Sequence, residues 1–261
     1  MPFTISHAAV MLPFTRLLAR WRLLSAAVIG AMVPDFGLFF PWHMERAETH
    51  SSVGLFTFCL PVGLATYWVF QLVIKTPVVE LLPEGAYARW LPFSSPADLG
   101  SIRQWLLAAS GVFAGAVTHL VWDGFTHEGA RGVHMIPMLD DPIDIGGGHY
   151  MVGVRLLQDG SSLAGLAAVL VLVWYGLRPG REQPIPDRPL RAVERRVWVM
   201  IYLLSAVVFT AAWLLWVRMG LPPRHSVTAI AGAIAVATLR GLATALLAVS
   251  LALSSRLDAP H

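Results

Sequence analysis

Long apolar runs separated by short charged segments are the dominant pattern of the chain. In the hydrocarbon of a bilayer every backbone N–H and C=O group must be paired internally, so an apolar run of roughly 20 residues predicts a membrane-spanning helix. The clearest runs cover residues 53–74, 105–126, 197–217 and 227–253. They predict four spans.

Three further apolar segments are short or interrupted. Residues 161–177 form a short run that apolar sequence upstream can extend, and a Pro-Asp pair breaks the run at residues 23–40. Residues 3–19 are a marginal span, and they lack the uninterrupted apolar centre and small-residue cleavage site of a signal peptide. We therefore expect an all-α, multi-pass integral membrane bundle with six or seven transmembrane helices.

The composition agrees with this fold class. Hydrophobic residues make up 56% of the 261 positions and charged residues 13%, which is typical of a membrane protein. No internal repeat stands out, so we expect one membrane domain over residues 1–261, with sequence motifs in residues 1–165 and C-terminal spans in residues 166–261. The single Cys59 excludes an intramolecular disulfide.

Lys and Arg are divided unequally between the two sides of the predicted bundle. If the spans alternate, thirteen of these residues fall on one side, five fall on the other, and Arg240 lies inside the last span. Cytoplasmic loops are the richer in Lys and Arg, so we expect a cytoplasmic C-terminus. The net charge of +3 belongs to these loops, and we expect the lipid bilayer rather than nucleic acid as a partner.

Arg240 is unusual because an arginine near the middle of a span costs at least ~2.5 kcal/mol. We expect its guanidinium to pair with a buried acid, or alternatively with a lipid phosphate.

Ionisable residues that interrupt apolar sequence all fall toward one face of the predicted bundle, opposite the cytoplasm. Imidazole and carboxylate groups are ligands for zinc and similar ions, and two ligands four residues apart on one helix can reach the same ion. Each residue also has a simpler explanation, as a helix cap or as a polar contact between helices. The residues are His7, Asp35, His50, His119, Asp123 and His127.

Several motifs around these residues resemble a bacterial membrane family catalogued as a domain of unknown function, family 4184. The resemblance covers about the first 165 residues and implies a location in the bacterial inner membrane. The motifs are MPFTISH at 1–7, IGAMVPDF at 29–36, THS at 49–51, FCLPVG at 58–63, THLVWDGFTH at 118–127 and LQDGSS at 157–162.

More distantly, the order of His and Asp residues is similar to that of membrane-bound metal-dependent hydrolases, which resemble the zinc-dependent phospholipase C and P1 nuclease fold. That fold has a downstream His-x-x-x-Glu pair which this chain lacks, so we expect one or two ions rather than three. The expected metal is zinc, with manganese, iron and magnesium as alternatives. The resemblance implies as its ligands His7, Asp35, His50, His119 and Asp123.

The function expected from this resemblance is hydrolysis of a lipid-linked or phosphoester substrate at the extracytoplasmic face. A bound metal ion with an open coordination position can bind water and activate it for attack on such a substrate. Asp35 is a candidate general base or ligand. His127 is a candidate acid for the leaving group or a fourth ligand, unless it only caps its helix.

Two alternatives remain open at this stage. Asp140, Asp141 and Asp144 spell Asp-Asp-Pro-Ile-Asp in a long Gly-rich loop at residues 128–159, similar to the magnesium motif of isoprenyl-diphosphate synthases and cyclases. Pro142 and the neighbouring glycines favour a loop here, whereas those enzymes place the motif on a helix. The other alternative is a noncatalytic membrane protein that binds an ion.

Overall fold

The computed structural model describes residues 4–20, 23–40, 44–98, 100–178, 188–220 and 227–257. Residues 1–3 of the opening motif, and Arg22, Arg181 and Arg224 of the topology argument, lie outside the described residues. Helices form most of the described chain, and one two-stranded hairpin accompanies them there. The all-α prediction is confirmed.

Five helices are long and apolar enough to cross a membrane. They confirm the multi-pass membrane character, while the count of six or seven spans stays a prediction. A shorter apolar helix covers Leu24–Phe39, and its second half, Val33–Phe39, is a 3-10 helix that begins at the Pro-Asp break. The five long helices are Ser52–Leu81, Ile102–Thr126, Gly153–Leu177, Ala192–Trp216 and Gly232–Leu257.

The remaining elements are short, and the last two long helices extend slightly beyond their apolar windows, to Ala192–Gly220 and Val227–Leu257. Two π-helical turns, Leu55–Cys59 and Phe70–Ile74, interrupt the Ser52–Leu81 helix. The other elements are the 3-10 helix Thr4–Phe14, the helices Thr15–Arg20, Leu24–Met32, Arg46–Thr49 and Glu84–Trp90, the 3-10 turn Leu91–Phe93, the helices Arg131–His134 and Pro137–Asp140, and the strands Pro142–Gly146 and His149–Val152.

The chain divides into two compact units. The first unit comprises Met1–Tyr67 and Ala97–Gly176, and the second comprises Trp68–Pro96 and Leu177–His261. All six ionisable residues singled out on the predicted outer face belong to the first unit, so this unit contains the candidate site.

In the first unit, glycines allow the Leu24–Met32 and Ile102–Thr126 helices to pack closely. A side chain at Gly115 would overlap the backbone around Ala27 and Ala31, and one at Gly30 would overlap the backbone of Val112. Small residues let helix backbones approach closely in membranes, where packing replaces the hydrophobic drive for association. This contact fixes the position of the Leu24–Met32 helix along the Ile102–Thr126 helix.

In the second unit, the Ala192–Gly220 and Val227–Leu257 helices pack with Gly241 against Thr210. The guanidinium of Arg240 lies over the ring of Trp213, 4.7 Å from its centroid. A cation over an indole face is stabilised by the ring quadrupole, and this contact offsets part of the cost of the charge. The expected acid or phosphate partner of Arg240 stays a prediction.

The segment at residues 128–159 is more ordered than the long loop that the sequence predicts. It contains two short helices and an antiparallel hairpin in which Ile143 pairs with Met151, and the next helix already begins at Gly153. Gly146, Gly147 and Gly148 have φ of 94°, 65° and 77°, a region that glycine enters without steric cost. The glycine triplet therefore forms a hairpin turn, which periodicity alone did not predict.

Candidate metal centre

Four separate elements of the first unit carry the predicted ligands. His7 lies on the Thr4–Phe14 3-10 helix and Asp35 on Val33–Phe39. His50 caps the C-terminus of the Arg46–Thr49 helix, and His119 and Asp123 lie one turn apart on the Ile102–Thr126 helix. The structure brings all five side chains together.

Asp123 is at the centre of this cluster. Its Oδ2 lies 3.4 Å from Nε2 of His119 and 3.5 Å from Nε2 of His50, and its Oδ1 lies 3.6 Å from Nε2 of His7. Asp35 reaches the same place from another side, with Oδ1 3.3 Å from Nε2 of His50 and 3.8 Å from Nε2 of His119. Ligands about 2.1 Å from a tetrahedral ion are about 3.4 Å apart, so these separations suit a shared ion.

The cluster is buried, and several of its polar atoms have no hydrogen-bond partner. His119 is 1% exposed, and His7, Asp35 and Asp123 are each 6% exposed. Buried polar atoms are nearly always paired, and an exception suggests a missing ion or water. The buried atoms without a partner here are Nε2 of His7, His50 and His119, Oδ1 of Asp123 and Nδ1 of His127.

Outer hydrogen bonds orient two of the imidazoles. Nδ1 of His119 is 2.8 Å from the carbonyl oxygen of Ala31, which can only accept, so this nitrogen carries the proton. Nδ1 of His50 is 2.8 Å from the hydroxyl oxygen of Thr49. Nε2 of His119 therefore presents a lone pair to the cluster, the orientation that ligating histidines take from their outer hydrogen bonds.

His127 lies at the rim of the cluster. Its Nδ1 is 3.6 Å from Oδ1 of Asp123. Burial lowers the pKa of its imidazole.

The ligand atoms fall into two sets of three that share His119. One set is His7, His119 and Asp123, and the other is Asp35, His50 and His119. Within each set all three atoms lie within 4.8 Å of one another. The donors are imidazole nitrogen and carboxylate oxygen, which are the ligand types of zinc, manganese and iron sites. The residues present therefore fit a divalent ion.

Three residues of the centre were not predicted from the sequence. Arg46, counted there only as a loop charge, donates to Oδ2 of Asp123 and lies 3.9 Å from Oδ1 of Asp35. Thr4 donates to Oδ2 of Asp35 at 2.9 Å, and Thr49 orients His50. The position of Arg46, four residues before His50 at a helix end, is the only sequence signal that pointed to it.

The short helix that carries Arg46 has well-defined ends. Glu45 and Glu48 form a reciprocal capping box at its N-terminus, where the Glu45 backbone donates to Glu48 Oε2 at 3.3 Å. Such a box satisfies backbone donors that the helix itself leaves unpaired. It holds Arg46 and His50 on consecutive turns that face the cluster.

The Asp-rich motif lies apart from this cluster. Its three carboxylates are exposed, and neither set of candidate ligands among the described residues includes them. Asp140 Oδ2 is 3.0 Å from His134 Nδ1, and Asp144 Oδ1 accepts from the backbone of Gly146 at 2.8 Å. The structure thus gives Asp144 a role within the hairpin turn, and the magnesium interpretation stays a prediction.

Comparison with known proteins identifies a family but no relative of known activity. A family model described as "Domain of unknown function (DUF4184)" matches residues 1–251, which extends well past the predicted limit near residue 165. No curated protein and no solved structure matches the chain. The resemblance to metal-dependent hydrolases stays a prediction.

Proposed function

This chain belongs to the DUF4184 family, and we propose that it is a membrane-embedded, metal-dependent hydrolase of a phosphoester or lipid-linked substrate. The observation that carries the proposal is the convergence of unpaired, buried imidazole nitrogens and a carboxylate oxygen on one point. Leaving such groups unpaired costs about 1–3 kcal/mol each, and a shared divalent ion removes that cost. Zinc is the first candidate, with manganese, iron and magnesium as alternatives.

When bound, a divalent ion supplies Lewis acidity and lowers the pKa of water. During hydrolysis, water adds to phosphorus and the ester bond to the leaving oxygen breaks. We propose that Asp35 accepts a proton from the attacking water and that His127, in its protonated form, passes a proton to the leaving oxygen. Arg46 has a 42% exposed side chain beside both carboxylates, and its guanidinium suits an anionic substrate oxygen.

The same proposal includes the orientation of the chain. The uneven division of Lys and Arg supports a cytoplasmic C-terminus, with the cluster at the extracytoplasmic face of a bacterial inner membrane. Ionisable residues at membrane depth are rare and are functional candidates by default. A noncatalytic ion site is the outcome if metal binds without hydrolysis.

Metal binding and hydrolysis should be measured on the same purified samples. The full chain in detergent is stripped with a chelator, titrated with Zn²⁺ or Mn²⁺, and assayed with 4-nitrophenyl phosphate and bis(4-nitrophenyl) phosphate. We expect Asp35→Asn and Asp123→Asn to lose most metal and all hydrolysis, because each removes a charged ligand with little change of shape. Asp159→Asn, at an exposed position, is the matched control. Equal, negligible metal in wild type and variants refutes the proposal.

A further inference from the structure

A narrow cleft of about 210 Å³ lies beside the metal centre in the first unit. The Thr4–Phe14 segment forms one wall with Ala9 and Val10, the Ile102–Thr126 helix contributes Thr118 and Trp122, and Gly165 belongs to the third wall. Ser6 and Ser161 also line the cleft, but most of its accessible wall is apolar. The cleft is therefore suited to a hydrocarbon segment.

His7 connects the cleft to the metal centre. Its side chain lines the cleft, while its Nε2 lies 3.6 Å from Oδ1 of Asp123 and its ring stacks on His119 at 3.8 Å between centroids. A molecule in the cleft therefore contacts His7, which is itself one of the candidate ligands. The two features form one continuous site with a polar and an apolar end.

The Ile102–Thr126 helix is a candidate membrane span, and with its C-terminal end at the bilayer surface the cleft lies at hydrocarbon depth. Thr118 is about 12 Å from the helix end at Thr126, at 1.5 Å rise per residue, well inside a bilayer core about 30 Å thick. Val10 and Trp122 line the cleft and are each 40% exposed, so the cleft opens among side chains that face lipid. A lipid chain can enter from the side without crossing water.

The size of the cleft limits its occupant. Pockets for drug-sized molecules are roughly 300–1,000 Å³, so a cleft of 210 Å³ takes only a slender segment. Gly165 lies so close to Ser6 that a carbon added to it would be 2.8 Å from the Ser6 carbonyl oxygen, so two walls of the cleft meet at this point. A single alkyl or isoprenyl segment fits this limit.

Resting on the proposed function, we infer that the substrate is an anionic amphiphile. Its phosphate occupies the cluster of His7, Asp35 and Asp123 with Arg46, and the first part of its hydrocarbon chain lies in the cleft. The metal and the Arg46 guanidinium complement the negative charge of the head, and the apolar walls complement the chain. A water-soluble phosphoester has no hydrocarbon chain to bind in the cleft.

Alkyl phosphates of increasing length test the inference directly. Binding of methyl, butyl and hexyl phosphate to the full chain, loaded with Mn²⁺ in detergent, is measured by calorimetry. We expect hexyl phosphate to bind wild type about tenfold more tightly than methyl phosphate, the equivalent of roughly two methylene groups moved into an apolar site. Ala9→Phe fills the cleft, and we expect it to abolish this difference while it keeps the affinity for methyl phosphate.

Ile5→Phe is the matched control, because it adds a ring to the same segment outside the cleft and should keep the difference. If Ala9→Phe does not fold, the wild-type series with chain length still decides. Equal affinity for all three phosphates refutes the chain site and leaves the hydrolase proposal intact. Phosphate binding that does not depend on Mn²⁺ refutes both.

Discussion

Ala31 accepts a hydrogen bond of 2.8 Å from Nδ1 of His119, across the contact between two helices. The bond fixes the tautomer and the ring orientation of the most buried histidine of the candidate metal centre. It depends on the close approach that Gly30 and Gly115 permit. The packing of two helices thus sets the orientation of a candidate ligand.

Gly115→Ala should weaken metal binding although it touches no ligand. The added carbon would overlap the backbone of the opposing helix between Ala27 and Ala31 and push the two helices apart. Loss of an outer hydrogen bond to a ligand typically costs 10- to 100-fold in metal affinity. Competition with a chelator measures this. Gly124→Ala is the control on the same helix, because a carbon there meets nothing within 4 Å and affinity should not change.

Thr49→Val should also weaken metal binding by roughly 10- to 100-fold, since it removes the hydroxyl that orients His50. Thr49→Ser keeps a hydroxyl and should keep most of the affinity. Thr57→Val is the control, because the Thr57 hydroxyl bonds only to the backbone of its own helix in the described structure. Equal metal affinity in all three variants would contradict the assigned role of Thr49.

Arg46→Gln should separate metal binding from substrate binding. The guanidinium competes with a cation for Asp123, so its loss should tighten metal binding, by about fivefold at most because the pair is partly exposed. The same change removes a partner of the substrate anion, so we expect KM for a phosphoester to rise about tenfold. Arg155→Gln is the control, since this exposed arginine pairs with Glu128 and not with a carboxylate of the candidate ligands. Weaker metal binding in Arg46→Gln would contradict this competition, whatever the change in KM.

Asp140→Asn and Asp144→Asn distinguish the hydrolase from the isoprenyl-diphosphate enzyme. Both carboxylates are exposed and lie outside the two sets of candidate ligands. Substitutions at such surface positions change stability by about 0.5 kcal/mol or less, so binding of Zn²⁺ and phosphoester hydrolysis should be unchanged. Loss of a magnesium-dependent activity toward an isoprenyl diphosphate in these variants would favour the alternative.

The membrane helices were predictable because hydrophobic length is a local property. The run at 105–126 appears in the structure as Ile102–Thr126, with its C-terminal boundary unchanged. The run at 161–177 extends upstream to Gly153, as the apolar sequence before it allowed. The polar Gln158 interrupts the apolar pattern there, but its side chain is buried. Local hydropathy does not show that a polar side chain will be buried against another part of the chain.

The sequence by itself determined the fold class and the six ionisable residues on one predicted face, because a charge within an apolar run is conspicuous in any conformation. Only the tertiary structure decided that five of these side chains share one point, that Ala31 sets the tautomer of His119, and that Arg46 belongs to the same cluster. Those relations join residues as far apart in the chain as His7 and Asp123. They arise from the packing of helices, and no local sequence pattern predicts which backbone carbonyl will face which imidazole.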